Sequence, residues 1–291
     1  MAITFRDFIQ SNESAKPHYF VIGHPISHSL SPVMHQCALD HYQIPAIYRA
    51  VDLPSDQIDQ FVSWCNSDSF LGCNITIPYK EALMYAADEL DADAKELGVM
   101  NTLSKEGSIL KGYNTDLYGF LKPLEPFIDQ LKGESAIIFG TGGSSRAVRA
   151  GLIRCGINEI TFVSRNPQLS TETELDPEIF IRTVDYSQWQ VFAEDATIIV
   201  NTTPLGMYPN VDQTPVREND AFLLTGKICY DLVYNPIETH FMKLTAKEGG
   251  IAINGLDMLI WQGSRSFEIW NGVAFPIDQV KIKLKTFFNT L

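Results

Sequence analysis

The sequence is poor in the residues that would tie a chain together covalently or draw it to a polyanion. Five cysteines, Cys37, Cys65, Cys73, Cys155 and Cys229, are spread over 291 residues with no CxxC among them. An odd number at such wide spacing supports neither a disulfide framework nor a zinc knuckle. Lys and Arg together number 22 against 35 acidic residues, a formal charge of -13. That balance argues against a nucleic-acid surface, which needs clustered cations, and means that any anionic ligand must be met by a local one. No apolar run approaches the roughly 20 residues of a membrane-spanning helix. Residues 1–16 carry Arg6, Asp7 and Glu13 and no apolar stretch, so they do not read as a secretory signal. A cytoplasmic location is expected. What remains, 45% hydrophobic and 20% charged residues, is ordinary for a folded chain, and the length suffices for two domains of roughly 100–200 residues each.

Short apolar runs alternate with helical stretches, a pattern that predicts α/β domains with mostly parallel sheets. In the first part the strands fall at 18–22, ending at Gly23, and at 46–53 and 70–76. Ser31-Pro32 is expected to open a helix, with Ser31 as cap and Pro32 in the first turn. Ser55 is expected to cap another, through about Asn66. Lys105-Glu106-Gly107, between Leu103 and the run 109–113, reads as a hairpin. A helical stretch at 117–131 opens the second part, with strands at 135–140, 160–163, 196–201 and 227–233. Residues 165–180 read as an extended connection. Two helices are expected from about Met258, interrupted near Gly272–Pro276.

The segment FGTGGSSRA (139–147) stands between a strand and a helix. Gly140, Gly142 and Gly143, with Thr141 and Ser144, allow a tight turn and a close approach to a pyrophosphate at a helix N-terminus. Ser145 occupies the third glycine position of GxGxxG, and a tight turn without a ligand is the plain alternative. The next strand ends in Ser164, Arg165 and Asn166, where NAD binders carry a carboxylate for the ribose 2′-hydroxyl. A guanidinium suits a 2′-phosphate instead, so NADP is favoured.

Four polar segments follow strands in the first part: GHPISHSLSPVMH (23–35), NITIPYK (74–80), GVMNT (98–102) and GYNTDLYG (112–119). Ser29, Ser31, Thr76, Asn101 and Asn114 suit a polyol. Lys80 and Asp116 add an ammonium and a carboxylate, the pair a carbonyl reduction needs to polarise and protonate the oxygen. Taken alone, Lys80 reads more readily as a solvated side chain than as a catalytic one, and Asp116 fits a helix cap, a role compatible with catalysis. His24, His28, His35 and His41 crowd one loop and its helix but match no zinc spacing, so structural or solvent-facing roles and no metal are expected.

In order and over nearly the whole chain from residue 18, these segments resemble the shikimate dehydrogenase family. The resemblance implies an N-terminal substrate-binding α/β domain with a mainly parallel sheet (1–116 and 258–291), a Rossmann-like NADP-binding domain (117–257), and C-terminal helices that return to the first domain. It implies NADP-dependent reduction of 3-dehydroshikimate to shikimate, on the route to chorismate and the aromatic amino acids, by a monomer or homodimer. The family's SxS serines fall on Ser29 and Ser31, its NxTxPxK threonine and catalytic lysine on Thr76 and Lys80, its VNT-like asparagine on Asn101 and its NTD aspartate on Asp116. Met100 stands where alanine or valine is commoner. NTTPLGM (201–207) and NGLDMLIWQG (254–263) match segments near the nicotinamide, which carries Thr202, Met207, Gly255 and Met258 over as cofactor residues. DLVYNPIET (231–239) brings Leu232 to the cofactor and Tyr234 to the substrate, and Gln262 falls at a substrate position. Rival readings are a quinate/shikimate dehydrogenase using NAD or NADP, a nucleotide-binding regulator without turnover, which would be expected to lose Lys80 or Asp116, and a methylene-tetrahydrofolate dehydrogenase, which gives no reason for the SxSP segment.

Overall fold

The computed structural model describes residues 2–27, 29–167 and 179–288. The chain divides into two compact units, Met1–Thr115 with Gln262–Leu291, and Asp116–Trp261. Among the described residues no helix is long and apolar enough to cross a membrane.

The first unit is built on a sheet of β1 (Ile3–Thr4), β2 (His18–Gly23), β3 (Ile47–Asp52), β4 (Phe70–Ile75), β5 (Glu89–Leu90), β6 (Thr102–Glu106) and β7 (Ile109–Tyr113), in the order β1-β3-β2-β4-β6-β7-β5. Strands β1 to β4 run parallel, while β6 lies antiparallel to both β4 and β7. Every residue of β2 is buried, as expected of a central parallel strand covered on both faces. Phe5, Phe8, Phe20, Phe61 and Phe70 form the centre of the core beneath it, each contributing about 1.5–3 kcal/mol by leaving water. The hairpin turns through Gly107 at φ 68°.

The second unit holds β8 (Ser135–Phe139), β9 (Glu159–Val163), β10 (Phe180–Val184), β11 (Ala196–Asn201), β12 (Ile228–Asp231) and β13 (Ile251–Asn254), all parallel, in the order β10-β9-β8-β11-β12-β13. Counted within the unit this is the order 3-2-1-4-5-6 of dinucleotide-binding sheets, whose ligands sit beyond the carboxyl ends of the strands.

The structure departs from the sequence reading at several helix starts. The helix Ser31–His41 has Leu30 at its cap position and no side-chain cap. The Ser31 N–H instead meets the Ser29 hydroxyl oxygen at 3.3 Å. Ser55 does not cap either: extended Pro54 precedes a 3₁₀ turn, Ser55–Gln57, and the α-helix begins at Ile58. The stretch expected as one helix at 117–131 is Asp116–Leu121, a 3₁₀ segment Lys122–Phe127 and Ile128–Leu131, because Pro123 and Pro126 lack the N–H groups an α-helix needs. The C-terminal helices are Gly255–Asn271 and Ile277–Phe288; the first starts three residues before Met258. Of the connection expected at 165–180, residues 168–178 lie outside the described part of the chain, as does His28.

Candidate active site

Within the first unit the expected polar residues are joined by one buried hydrogen-bond network. Ser31, Tyr48, Asn74, Asn101, Thr102, Thr115, Gln262 and Ser266 are all buried. Tyr48 donates to Asn74 Oδ1 at 2.6 Å and also bonds Ser31; burial raises its phenol well above the ordinary value, which keeps it a donor. Asn74 Nδ2 donates to Ser266 Oγ at 2.9 Å and Thr102 Oγ1 at 3.1 Å. Asn101 Oδ1 accepts the Thr115 N–H at 2.7 Å, while its Nδ2 donates to Thr115 Oγ1 at 2.9 Å and to Gln262 Oε1 at 3.3 Å. Ser266, one turn beyond Gln262 on the same helix, lies within 2.8 Å of Thr102 Oγ1 and 3.1 Å of Thr115 Oγ1 and donates to the Gln262 carbonyl at 3.0 Å. Removing one member of such a network leaves a buried partner unsatisfied, at about 1–3 kcal/mol.

The loops after β2 and β4 meet closely. A side chain at Gly23 would strike Thr76 and the Ile77 carbonyl, and the His24 N–H bonds the Ile77 carbonyl at 3.1 Å. Ser29, Thr76 and Lys80 are partly exposed on these loops. The Lys80 carbonyl accepts the Met100 N–H at 2.9 Å, which ties the start of the helix Tyr79–Ala82 to the residue preceding Asn101. Asn114, also expected at the site, is buried and donates to the Val99 carbonyl at 3.0 Å.

The histidines separate into different environments. His24 pairs with Asp52 at 3.0 Å. His35 is buried, stacked 4.4 Å from Tyr48 and flanked by Phe267, Trp270 and Phe275; burial pulls its imidazole down to about 3, so it stays neutral. His41 is exposed at its helix end.

In the second unit, every residue expected to touch a cofactor follows a strand or lies on a helix that does. Gly140, after β8, has φ 100°, and a side chain there would come within 2.7 Å of Thr202 Oγ1 and 2.9 Å of Thr203 Cγ2. Thr202, after β11, donates its hydroxyl to the Phe139 carbonyl at 2.7 Å, so the two loops are packed together. Thr141, Gly142 and Gly143 are exposed, and a Cβ at either glycine would meet nothing within 4 Å. Gly142 caps the helix Gly143–Arg154 without a side-chain bond, leaving the room and the N–H groups that a pyrophosphate requires. Ser145 is buried and its hydroxyl donates to the Gly142 carbonyl at 2.6 Å, which explains how a serine fits the third glycine position. After β9, the Asn166 N–H meets Ser164 Oγ at 3.1 Å, and exposed Arg165 lies near Tyr186, whose phenol it acts to lower against the larger effect of burial. These residues fit a dinucleotide with a 2′-phosphate.

Leu232 follows β12, its N–H on the Asn201 carbonyl at 3.0 Å. Gly255 begins the last helix of the unit hard against the Leu232 carbonyl, where no side chain fits. Met207 is exposed, Tyr234 partly exposed, and Met258 packs into the unit's core. Asp116 is buried at the first position of its helix, directly after Thr115. Lys80 and Asp116 therefore belong to different units.

The sequence reading missed Tyr48, Asn74, Thr102, Thr115 and Ser266 as parts of the network. Asn74 and Thr115 sat inside segments already singled out, and the spacing of Ser266 from Gln262 put both on one helix face. Tyr48 gave no signal beyond its place in an apolar strand.

Fold and site together define a two-unit α/β protein with a dinucleotide-type sheet and a buried cluster of hydroxyl and amide side chains. Family models for the shikimate dehydrogenase substrate binding domain and the shikimate 5′-dehydrogenase C-terminal domain match residues 21–103 and 255–281. Shikimate dehydrogenase (NADP(+)) of Methanococcus vannielii is 38% identical over 264 residues, 87% of this chain and 90% of that protein. Among solved structures, shikimate 5-dehydrogenase from Thermus thermophilus, in complex with NADP(H) and shikimate, has TM-score 0.80 at 31% identity and covers 93% of this chain and 99% of its own. The enzyme from Listeria monocytogenes, with shikimate and NAD, has TM-score 0.83 at 26% identity, covering 92% and 96%. The chain belongs to the shikimate dehydrogenase family.

Proposed function

We propose that this chain catalyses the reversible, NADP-dependent interconversion of 3-dehydroshikimate and shikimate, with Lys80 as the proton donor and Asp116 as its partner. The observation that carries the reading is the network that links Ser31, Asn101 and Gln262 through Tyr48, Asn74 and Ser266. A rigid array of hydroxyl and amide groups suits a small polyhydroxylated acid, and its rigidity fixes the ketone relative to the proton donor. Ser29 and Ser31 receive the carboxylate, with Tyr234 beside it. Thr76, Asn101, Asp116 and Gln262 hold the ring hydroxyls.

The pairing of Lys80 with Asp116 is supported by two tethers on one segment. The Lys80 carbonyl holds the Met100 N–H, and Asn101 Oδ1 holds the N–H of Thr115, one peptide before Asp116. In the reducing direction Lys80 Nζ gives its proton to the oxygen as negative charge develops there, and Asp116 orients the ammonium. NADPH, when bound, would supply the hydride for the ketone carbon. Gly142 and Gly143 would hold its pyrophosphate, Arg165 with Ser164 and Asn166 its 2′-phosphate, and Thr202, Met207, Leu232, Gly255 and Met258 the nicotinamide side, with Gly140, Thr141 and Ser144 shaping the turn. A cytoplasmic monomer or homodimer belongs to the same proposal; the five thiols stand free, which suits a reducing compartment.

The direct test is a spectrophotometric assay crossing shikimate and quinate with NADP+ and NAD+. Shikimate with NADP+ is expected to give the highest kcat/KM by at least about tenfold, the effect of about 1.4 kcal/mol at the transition state. Equal or better use of quinate or NAD+ would replace this reading with the broader one.

A further inference from the structure

Asp231 ends β12, is fully buried, and has no part in the chemistry above. Its Oδ1 accepts the Val233 N–H at 3.0 Å and Asn201 Nδ2 at 2.9 Å, and its Oδ2 accepts the Thr239 hydroxyl at 2.6 Å. Asn201 is its register partner at the end of β11. The other end of that amide, Oδ1, accepts both the N–H and the hydroxyl of Thr203, at 3.0 and 2.6 Å, while Nδ2 also donates to the Leu205 carbonyl at 3.2 Å. Thr203 Oγ1 in turn receives the Leu205 N–H at 3.2 Å. Beyond this knot the two loops join again, the Tyr208 N–H on the Asn235 carbonyl at 3.0 Å.

One carboxylate thus supports the segment Thr202–Met207 through Asn201, the segment Leu232–Tyr234 through Val233, and the head of the helix His240–Lys247 through Thr239. None of its donors comes from the middle of a strand. A buried carboxylate is expensive to keep in a fold that an apolar side chain would stabilise as well, so its place at the junction of two functional loops calls for a reason other than packing.

We infer that Asp231 is a positioning residue for hydride transfer: with Asn201 and Thr203 it fixes the loops after β11 and β12 in the arrangement that the nicotinamide and the substrate require. The inference rests on the roles proposed above for those two loops. Four proteins test it: wild type, Asp231→Asn, Asp231→Ala and Thr203→Val, the last cutting the outer end of the relay while leaving the carboxylate in place. Two readouts are used, kcat per folded enzyme for shikimate oxidation with NADP+, and the nicotinamide emission of bound NADPH.

Asp231→Ala is expected to lower kcat by about 100-fold, the scale of a misplacement of about 1 Å. Thr203→Val should lower it by about tenfold with Tm within about 2 °C of wild type. Both should weaken the emission change. Asp231→Asn, which keeps an acceptor for Val233 and Asn201, should stay within about threefold of wild type. Wild-type kcat and emission in Thr203→Val and in folded Asp231→Ala would overturn the inference and leave the carboxylate a purely structural role. If wild type failed to oxidise shikimate while the emission pattern held, the proposed substrate would fall and the role of Asp231 would stand.

Discussion

Asn101 shows how a buried amide is given a direction. A backbone N–H can only donate, so the bond from Thr115 assigns Oδ1, and Nδ2 must then face Thr115 Oγ1 and Gln262 Oε1. Gln262 is oriented in turn, with its Oε1 towards Asn101. Asp231 shows the opposite case, a charge kept where burial opposes it. Burial pushes its carboxyl from 3.8 up to about 6, against the lowering effect of the bonds from Thr239, Val233 and Asn201. The folded protein therefore holds a proton there that the unfolded chain has released. Its contribution to stability is fully present below about pH 4 and is lost as the pH rises through about 6, amounting to roughly 3 kcal/mol at about 1.4 kcal/mol per pH unit. Asp231→Asn should remove this dependence, so that its urea-unfolding free energy gains on wild type between pH 4.5 and 7.5. A constant difference across that range would show the carboxyl to be unperturbed.

Elements, rather than single residues, set where the cofactor segments lie. The strands of the second unit all run the same way, so Gly140, Ser164, Thr202, Leu232 and Gly255 all follow the carboxyl ends of their strands. Gly140→Ala combines a left-handed φ with a clash against Thr202 and Thr203, a conformation that costs about 1–3 kcal/mol for a residue with a side chain. It should raise the KM for NADP+ by about tenfold or more and leave the KM for shikimate unchanged; an unchanged KM for NADP+ would mean that the turn does not shape the cofactor site. The strands were legible because buried parallel strands read as apolar runs, as at 18–22 and 196–201. β10 and β13 were not, since Phe180–Val184 is only partly buried and Ile251–Asn254 is short and follows two glycines. Helix starts were misread where serine beside proline suggested a cap: at Ser31 and Ser55 the preceding residue occupies the cap position. Of the network, Ser31, Asn101 and Gln262 were visible in polar motifs; Asn74, Thr102 and Thr115 shared those motifs but, like Tyr48 and Ser266, became partners only through register and helix packing.

At the scale of the whole molecule, a chain of charge -13 must take up an acidic substrate and a cofactor with a 2′-phosphate. In the proposed reading local groups answer each demand, Arg165 for the cofactor and the hydroxyl array with Lys80 for the substrate. The central proposal is that Lys80 and Asp116 act as one catalytic pair. The measurement that tests it most directly is kcat for shikimate oxidation in Lys80→Ala, Asp116→Ala and the double variant. Each single change should lower kcat by about 10²–10⁴-fold, and the double variant should be no slower than the slower single one, because groups that act as a unit are lost together. Near-normal turnover in Lys80→Ala, or losses that multiply in the double variant, would contradict the account.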